Sequence, residues 1–166
     1  MRIRPFIESR DYKALESWID SERTNAMWCA NHLPYPLSRE RLHALLKENA
    51  AELTDGAYVA TEDTGEPVGF FCYSISVEEN TGFFKLVIVD KKKRGAGLGE
   101  EMLRLALRYA FEITGVASAR LNVFAQNTGA KRCYEKVGFW TESVTKNGYT
   151  YRGEPWNICH MVISKK

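Results

Sequence analysis

The sequence predicts an α/β (α+β) fold: a mixed, mostly antiparallel central sheet of about seven strands flanked by about four helices. Three observations predict it. Strand-like and helical runs follow one another in the order β-α-α-β-β-β-α-β-α-β-β. Turn signals join several consecutive strand-like runs directly, which makes them antiparallel neighbours. One strongly amphipathic helix separates two strand-like runs, and such a crossover returns the second strand parallel to the first.

Residues 2–6 alternate and read as a short strand, on an edge because Pro5 cannot donate to a ladder. Ser9 is placed to cap a helix through about Asp20, with Leu15, Trp18 and Ile19 on one face. Residues 31–37 hold two prolines and read as loop. Ser38 is the natural cap of a second helix ending near Leu53. Residues 57–61 and 67–76 are strand-like, and Asp63-Thr64-Gly65-Glu66 is a turn, so the three form a hairpin. Residues 83–89 are almost wholly apolar and predict a central strand buried on both faces. Leu98, Met102, Leu105, Ala106, Tyr109, Ala110 and Ile113 recur at helical spacing, and Gly115 is placed to end that helix. A strand follows at 119–124. Asn127 opens and Gly138 closes a short helix, and strands at 139–146 and 156–163 complete the chain.

The bulk properties exclude several classes of function. The 166 residues fit one domain, 45% apolar and 27% charged, with a net charge of only +2. That charge gives no footprint for nucleic acid. The N-terminus is charged, without the apolar run of a signal peptide, and no stretch approaches the ~20 apolar residues of a membrane span. A soluble, cytoplasmic protein with no membrane or nucleic-acid partner is expected. The four cysteines have no metal-type spacing, so no metal site is expected, and free thiols are the default.

Function concentrates where the apolar run 83–89 meets Asp90-Lys91-Lys92-Lys93-Arg94-Gly95-Ala96-Gly97-Leu98-Gly99 and then a helix. The first turn of a helix has N–H groups without internal partners, and the helix dipole adds partial positive charge there. Glycines let the chain curl so that several N–H groups face one anion, and four adjacent cations raise the local potential. A diphosphate is the natural ligand. The Gly-x-x-x-x-Gly-Lys-Ser/Thr loop of nucleoside triphosphatases is absent, and Glu100 stands where a dinucleotide fingerprint needs glycine. Taken alone, the segment also fits, less well, a tight strand-to-helix turn that binds nothing. Glu100 would have to point away from the phosphates.

Arg94-x-x-Gly97-x-Gly99 after an apolar strand resembles the coenzyme A signature of the GNAT N-acetyltransferases, Gln/Arg-x-x-Gly-x-Gly/Ala. Residues 121–139 resemble that family's second block, a strand, then Asn127, a small residue, and Tyr134-Glu135-Lys136-x-Gly138-Phe139. The two blocks stand in the family's order, one helix apart. The resemblance implies a GNAT-like fold and transfer of acetyl from acetyl-CoA to a primary amine by direct attack. It implies that Val87, Ile88 and Val89 pair with the pantetheine arm. Arg94, Gly95, Ala96, Gly97, Leu98, Gly99 and Glu100 would wrap the diphosphate, Asn127 would bond the coenzyme near its pantetheine end, and Tyr134 would be the general acid. A monomer or homodimer is implied.

Thioester aminolysis needs a neutral amine, an oxyanion stabiliser and a proton for the leaving thiolate. A lysine-type amine has a reference pKa near ~10.4, so a base or desolvation must remove a proton. A neutral Tyr134 hydroxyl suits the thiolate, and amides at the end of strand 83–89 suit the oxyanion. Tyr134 also fits plain helix core. Its neighbour Cys133 reads as a structural thiol, having no evident His partner. Many relatives carry a glutamate base at the strand position of Asn122, and Asn cannot serve. Glu78, Glu79, His160 and a bound water are the alternatives. Trp28, His32 and Tyr35, in the loop between the first two helices, and Tyr149, Tyr151 and Trp156 near the last hairpin are pocket walls or core cover. Lys131 and Arg132 fit either the coenzyme's 3′-phosphate or plain surface. An acyl-CoA-binding sensor or interaction module with this fold is the alternative to an enzyme.

Overall fold

The computed structural model describes residues 1–51 and 56–166. Seven strands form one sheet: β1 (Arg2–Pro5), β2 (Gly56–Thr61), β3 (Pro67–Ser76), β4 (Thr81–Val89), β5 (Ser118–Phe124), β6 (Trp140–Tyr151) and β7 (Glu154–Ser164). Their order is β1-β2-β3-β4-β5-β7-β6. Every neighbouring pair is antiparallel except β4 and β5. That parallel pair is joined by the predicted crossover helix, α4 (Leu98–Arg108). The helix α5 (Thr128–Val137) runs between Asn127, whose side chain accepts from Ala130 N–H, and left-handed Gly138. Helices α4 and α5 cover one face of the sheet around Phe84, Met102, Leu121 and Met161. The other face is covered by α1 (Glu8–Trp18), α2 (Glu22–Cys29) and α3 (Arg39–Ala51), over Val59, Phe70 and Ile88.

Helix α2 is one helix more than the sequence pattern predicts. Only eight residues long, it shows no apolar period long enough to register. Its signal is Ser21, whose hydroxyl accepts from Thr24 N–H at 3.1 Å. Helix α1 starts before the expected cap Ser9. Asp11 reaches back to accept the Ile7 N–H at 2.8 Å and does the capping instead. Ser38 caps α3 as expected, accepting from Arg41 N–H at 3.2 Å, and the expected end near Leu53 lies outside the described residues. The crossover helix finishes in a π turn, Tyr109–Ile113, before left-handed Gly115. The last two strands are longer than predicted. They meet in a two-residue turn in which Arg152 (φ 46°) and Gly153 (φ 80°) are both left-handed, the type I′ geometry of tight hairpins.

Asp11 ties the start of α1 to the sheet. Its carboxylate is 1% exposed and takes two Arg4 hydrogen bonds of 2.7 Å besides that from Ile7. Burial by itself would push this carboxyl up, but the Arg4 and Ile7 bonds outweigh it and hold it below the usual carboxylate range. A depressed folded pKa stabilises the native state above the unfolded value and is lost as pH falls through the folded one. Asp11→Ala is therefore expected to cost about 3 kcal/mol at neutral pH. Urea midpoints of wild type and variant should converge on acidification; parallel midpoints would remove Asp11 from the stability account.

Candidate active site

The parallel pair at the centre of the sheet comes apart halfway along. β4 and β5 share four registered pairs, from Thr81↔Ser118 to Phe84↔Leu121, and none beyond. Residues 85–89 of β4 and 122–124 of β5 therefore border a wedge. The cause lies in β4: Cys72 pairs with Lys85 and Phe70 with Ile88, so Leu86 and Val87 together oppose the single Phe71. This is a β-bulge, which sharpens local twist and bends its strand. Leu86 takes φ 51°, rare for a bulky side chain. The wedge corrects the expectation that β4 is buried on both faces: Phe83, Lys85, Leu86, Val87 and Val89 are only partly buried. Backbone groups along such a gap are placed to pair with an extended ligand arm as a further strand would.

The wedge opens onto the glycine loop. After β4 a 3₁₀ turn, Lys91–Lys93, is capped by Asp90, whose carboxylate accepts from Lys92 N–H at 2.9 Å. Gly95 (φ 83°) and Gly97 (φ 78°) are left-handed, and apart from the chain neighbours no atom of the described residues lies within 4 Å of where either Cβ would stand. The first bond across the start of α4 runs from Glu101 N–H to Gly97 O at 3.0 Å, so the amides of residues 98–100 have no partner inside the helix. Gly99 has a second reason to be glycine: a Cβ there would stand 3.2 Å from Cys133 Sγ, where α5 packs. Open space, two left-handed glycines and free first-turn amides fit a diphosphate.

The charge around this loop is more selective than the run of four cations suggests. Lys91 pairs with Asp20, and Lys93 with Glu62 and Glu66 at 2.9 and 3.2 Å. Arg94 lies along the loop with Nε donating to Val89 O at 3.3 Å. Among the described residues, Lys92 alone of the three lysines makes no ion pair. Glu100 turns to Lys136 on α5, 3.0 Å away.

Tyr134 sits on α5, 6% exposed, in the core cluster against which Val87 and Val89 also pack. Phe139 meets its ring edge-on at 6.2 Å. Among the described residues its hydroxyl has no hydrogen-bond partner. Burial, and then the neighbouring Cys133, push the phenol well above its ordinary value, so it stays protonated. Burial and the Glu100 carboxylate likewise push the Cys133 thiol up, which keeps it from being a nucleophile at neutral pH. Asn127 is committed through Oδ1 to capping α5, 3.4 Å from Ala130 N, and retains its amide N–H groups.

The expected pocket residues separate. Trp28 lies on α2 rather than in a loop. It is 9% exposed and donates from Nε1 to Leu86 O at 2.8 Å. His32 and Tyr35 are exposed on the segment between α2 and α3. Tyr151 and Trp156 are buried core with Ala26 and Phe124, whereas Tyr149 receives a 2.8 Å hydrogen bond from Asn31. Asn122, the first β5 residue past the last β4 pair, accepts from His160 Nδ1 at 2.8 Å. His160 Nε2 lies 2.7 Å from Thr145 Oγ1. Glu78 and Glu79 lie in the turn before Thr81, at the far end of β4, and the stretch of strand from Thr81 to Val87 alone puts roughly 20 Å between that turn and the bulge. Sequence reasoning missed Leu86, because nothing in an apolar run marks a left-handed leucine. It also missed the clamp between α2 and the last hairpin, Arg23 with Glu154 and Glu22 with Arg152.

No described helix is long and apolar enough to cross a membrane, and the described residues hold no group of three or more His, Cys, Asp or Glu that could bind a metal ion. Among solved structures, the chain is similar to spermidine N-acetyltransferase from Vibrio cholerae in complex with CoA and spermine. The TM-score is 0.82 at 21% identity, covering 98% of this chain and 94% of that one. A chimera of the Vibrio cholerae enzyme with hSSAT gives 0.80 at 19%, covering 98% and 94%. At these identities the likeness is one of fold. Among curated proteins, mycothiol acetyltransferase from Streptomyces griseus subsp. griseus is 35% identical over 89 residues, 54% of this chain and 28% of that protein. The Streptomyces coelicolor protein of the same name is 34% identical over 86 residues, 52% and 27%. The matched region thus spans little more than a quarter of these relatives' length. The profile of the Acetyltransferase (GNAT) family matches residues 13–139, from α1 through the glycine loop and Tyr134 to the end of the second block, and the chain belongs to that family.

Proposed function

We propose that the protein is an acetyl-CoA-dependent N-acetyltransferase acting on a primary amine by direct attack, with Tyr134 as general acid. One observation supports this reading: the wedge between β4 and β5 lies between the glycine-rich start of α4 and the core cluster that holds the protonated Tyr134, whose hydroxyl has no hydrogen-bond partner among the described residues. Acetyl-CoA would supply the activated thioester. The amides of residues 98–100, with Gly95 and Gly97, would hold its diphosphate, and the edge of residues 87–89 its pantetheine arm. Amides at the bulge would face the charge that develops on the thioester oxygen. Tyr134 would donate its proton to the departing sulfur.

The acceptor would approach from the α2 side, where Asn122, His160 and Thr145 form a hydrogen-bonded row across β5, β7 and β6. A carbonyl oxygen only accepts, so His160 must donate from Nδ1, which leaves Nε2 facing Thr145 as the proton-accepting nitrogen in the neutral ring. With Asn in place of a glutamate, deprotonation of the amine would fall to water ordered along this row. Isotope-labelled acetyl-CoA offered with polyamines, amino acids, peptide α-amines and amino sugars tests the proposal. Labelled amide product is expected from at least one class. Tight coenzyme binding with no turnover across the panel would make the chain an acyl-CoA sensor instead.

A further inference from the structure

We infer that Trp28 is a positioning residue that aims the backbone amide of Val87 at the acetyl group through its hydrogen bond to Leu86; this rests on the acetyl-CoA reading above. Strand carbonyls normally lie in the plane of the sheet and bond to the neighbouring strand. The Leu86 carbonyl leaves that plane. It accepts the indole N–H of Trp28 at 2.8 Å, from a helix packed over the sheet face. The left-handed turn at Leu86 makes this possible. The peptide joining Leu86 to Val87 is planar and trans, so its C=O and N–H point in opposite directions. With the carbonyl held toward α2, the Val87 N–H is turned toward the opposite face, where Val87 packs in the cluster containing Tyr134.

The bulge places this peptide outside the regular ladder with β3, since two residues there oppose one. Without a hold on the carbonyl, the peptide is free to rotate and the donor direction is lost. Trp28 is suited to hold it. Its ring is 9% exposed and packs edge-on against Phe70 at 6.3 Å, so the indole is fixed by packing. A donor that is already aimed before the reaction needs no reorganisation as charge develops, which is the condition for such a group to be effective.

Two variants separate the hydrogen bond from the packing: Trp28→Phe, and replacement of Trp28 by benzothienylalanine, which keeps the bicyclic shape and has no N–H. Calorimetry with CoA and with acetyl-CoA gives a readout independent of any acceptor. Affinity for CoA should be unchanged, while the acetyl-CoA to CoA preference should fall roughly three- to tenfold, the scale of one hydrogen bond. Difference infrared spectra of isotope-labelled acetyl-CoA should show the bound carbonyl stretch moving to higher frequency, as its hydrogen bond weakens. With an accepting amine, kcat should fall about 10- to 100-fold with little change in the KM for the amine. An unmoved carbonyl band and unmoved preference in the benzothienylalanine protein would overturn the inference. So would an equal loss of both affinities, which would make Trp28 a packing residue. Failure of the wild-type protein to bind CoA would instead sink the acetyl-CoA reading itself, and the inference with it.

Discussion

Tyr134→Phe is expected to lower kcat by about 100-fold or more, the scale of lost general-acid catalysis, while leaving the dissociation constant of acetyl-CoA unchanged. The substitution removes one oxygen and keeps the ring against Phe139. Because the hydroxyl bonds to no other described residue, its loss strands no buried partner, and the melting temperature should hold. The same environment sets the pH dependence. Burial raises the phenol above its ordinary value near ~10, so the acid form is complete across the neutral range. The wild-type rate should show no falling limb attributable to this group below about pH 10. Steady-state kinetics on both proteins, with the amine that turns over best, check the prediction. A collapse of coenzyme affinity together with a lower melting temperature would show that Tyr134 is simply core.

Gly97→Asp is expected to act the other way, weakening coenzyme binding by about 100-fold or more with the fold intact. Asp adopts left-handed backbone more readily than most residues other than glycine, and apart from the chain neighbours no described atom lies within 4 Å of the new Cβ. The cost to the free protein is therefore backbone strain at φ 78° without a steric clash. The new carboxylate stands at the N-cap of α4, where the helix dipole and the amides of residues 98–100 favour an anion. It would occupy the place expected for the phosphates and repel them. Calorimetry with CoA measures the effect, and thermal unfolding provides the control for folding. An unaltered dissociation constant would refute the loop assignment. Gly99→Ala is a useful contrast, because its Cβ would press on Cys133 Sγ at 3.2 Å and disturb the packing of α5 before it touches any ligand.

Much of the site was readable in the chain because its signals are local. A glycine loop between strand and helix, and an Asn-capped helix carrying Tyr134, each depend on contacts within a few residues, so spacing alone locates them. The structure keeps both, with α4 beginning at Leu98 and α5 at Thr128. Other features depend on residues far apart. Lys91 and Lys93 look like phosphate ligands in a basic run, yet Asp20, Glu62 and Glu66 reach them from other elements. Trp28 looks like loop and pocket wall, yet it is helical and tied to a strand 58 residues away. Glu78 and Glu79 look near the central strand, and they are, but at the wrong end of it.

By itself, the amino-acid sequence determined the order of strands and of four of the five described helices, the position of the glycine loop and the identity of the candidate acid, because periodicity, caps and glycines act over short stretches of chain. Only the tertiary structure decided that β4 and β5 part after Phe84, that Leu86 is left-handed and that its carbonyl is held by Trp28. Those features arise where one strand must satisfy β3, β5 and α2 at once, a constraint set by packing between distant segments and written in no single one of them.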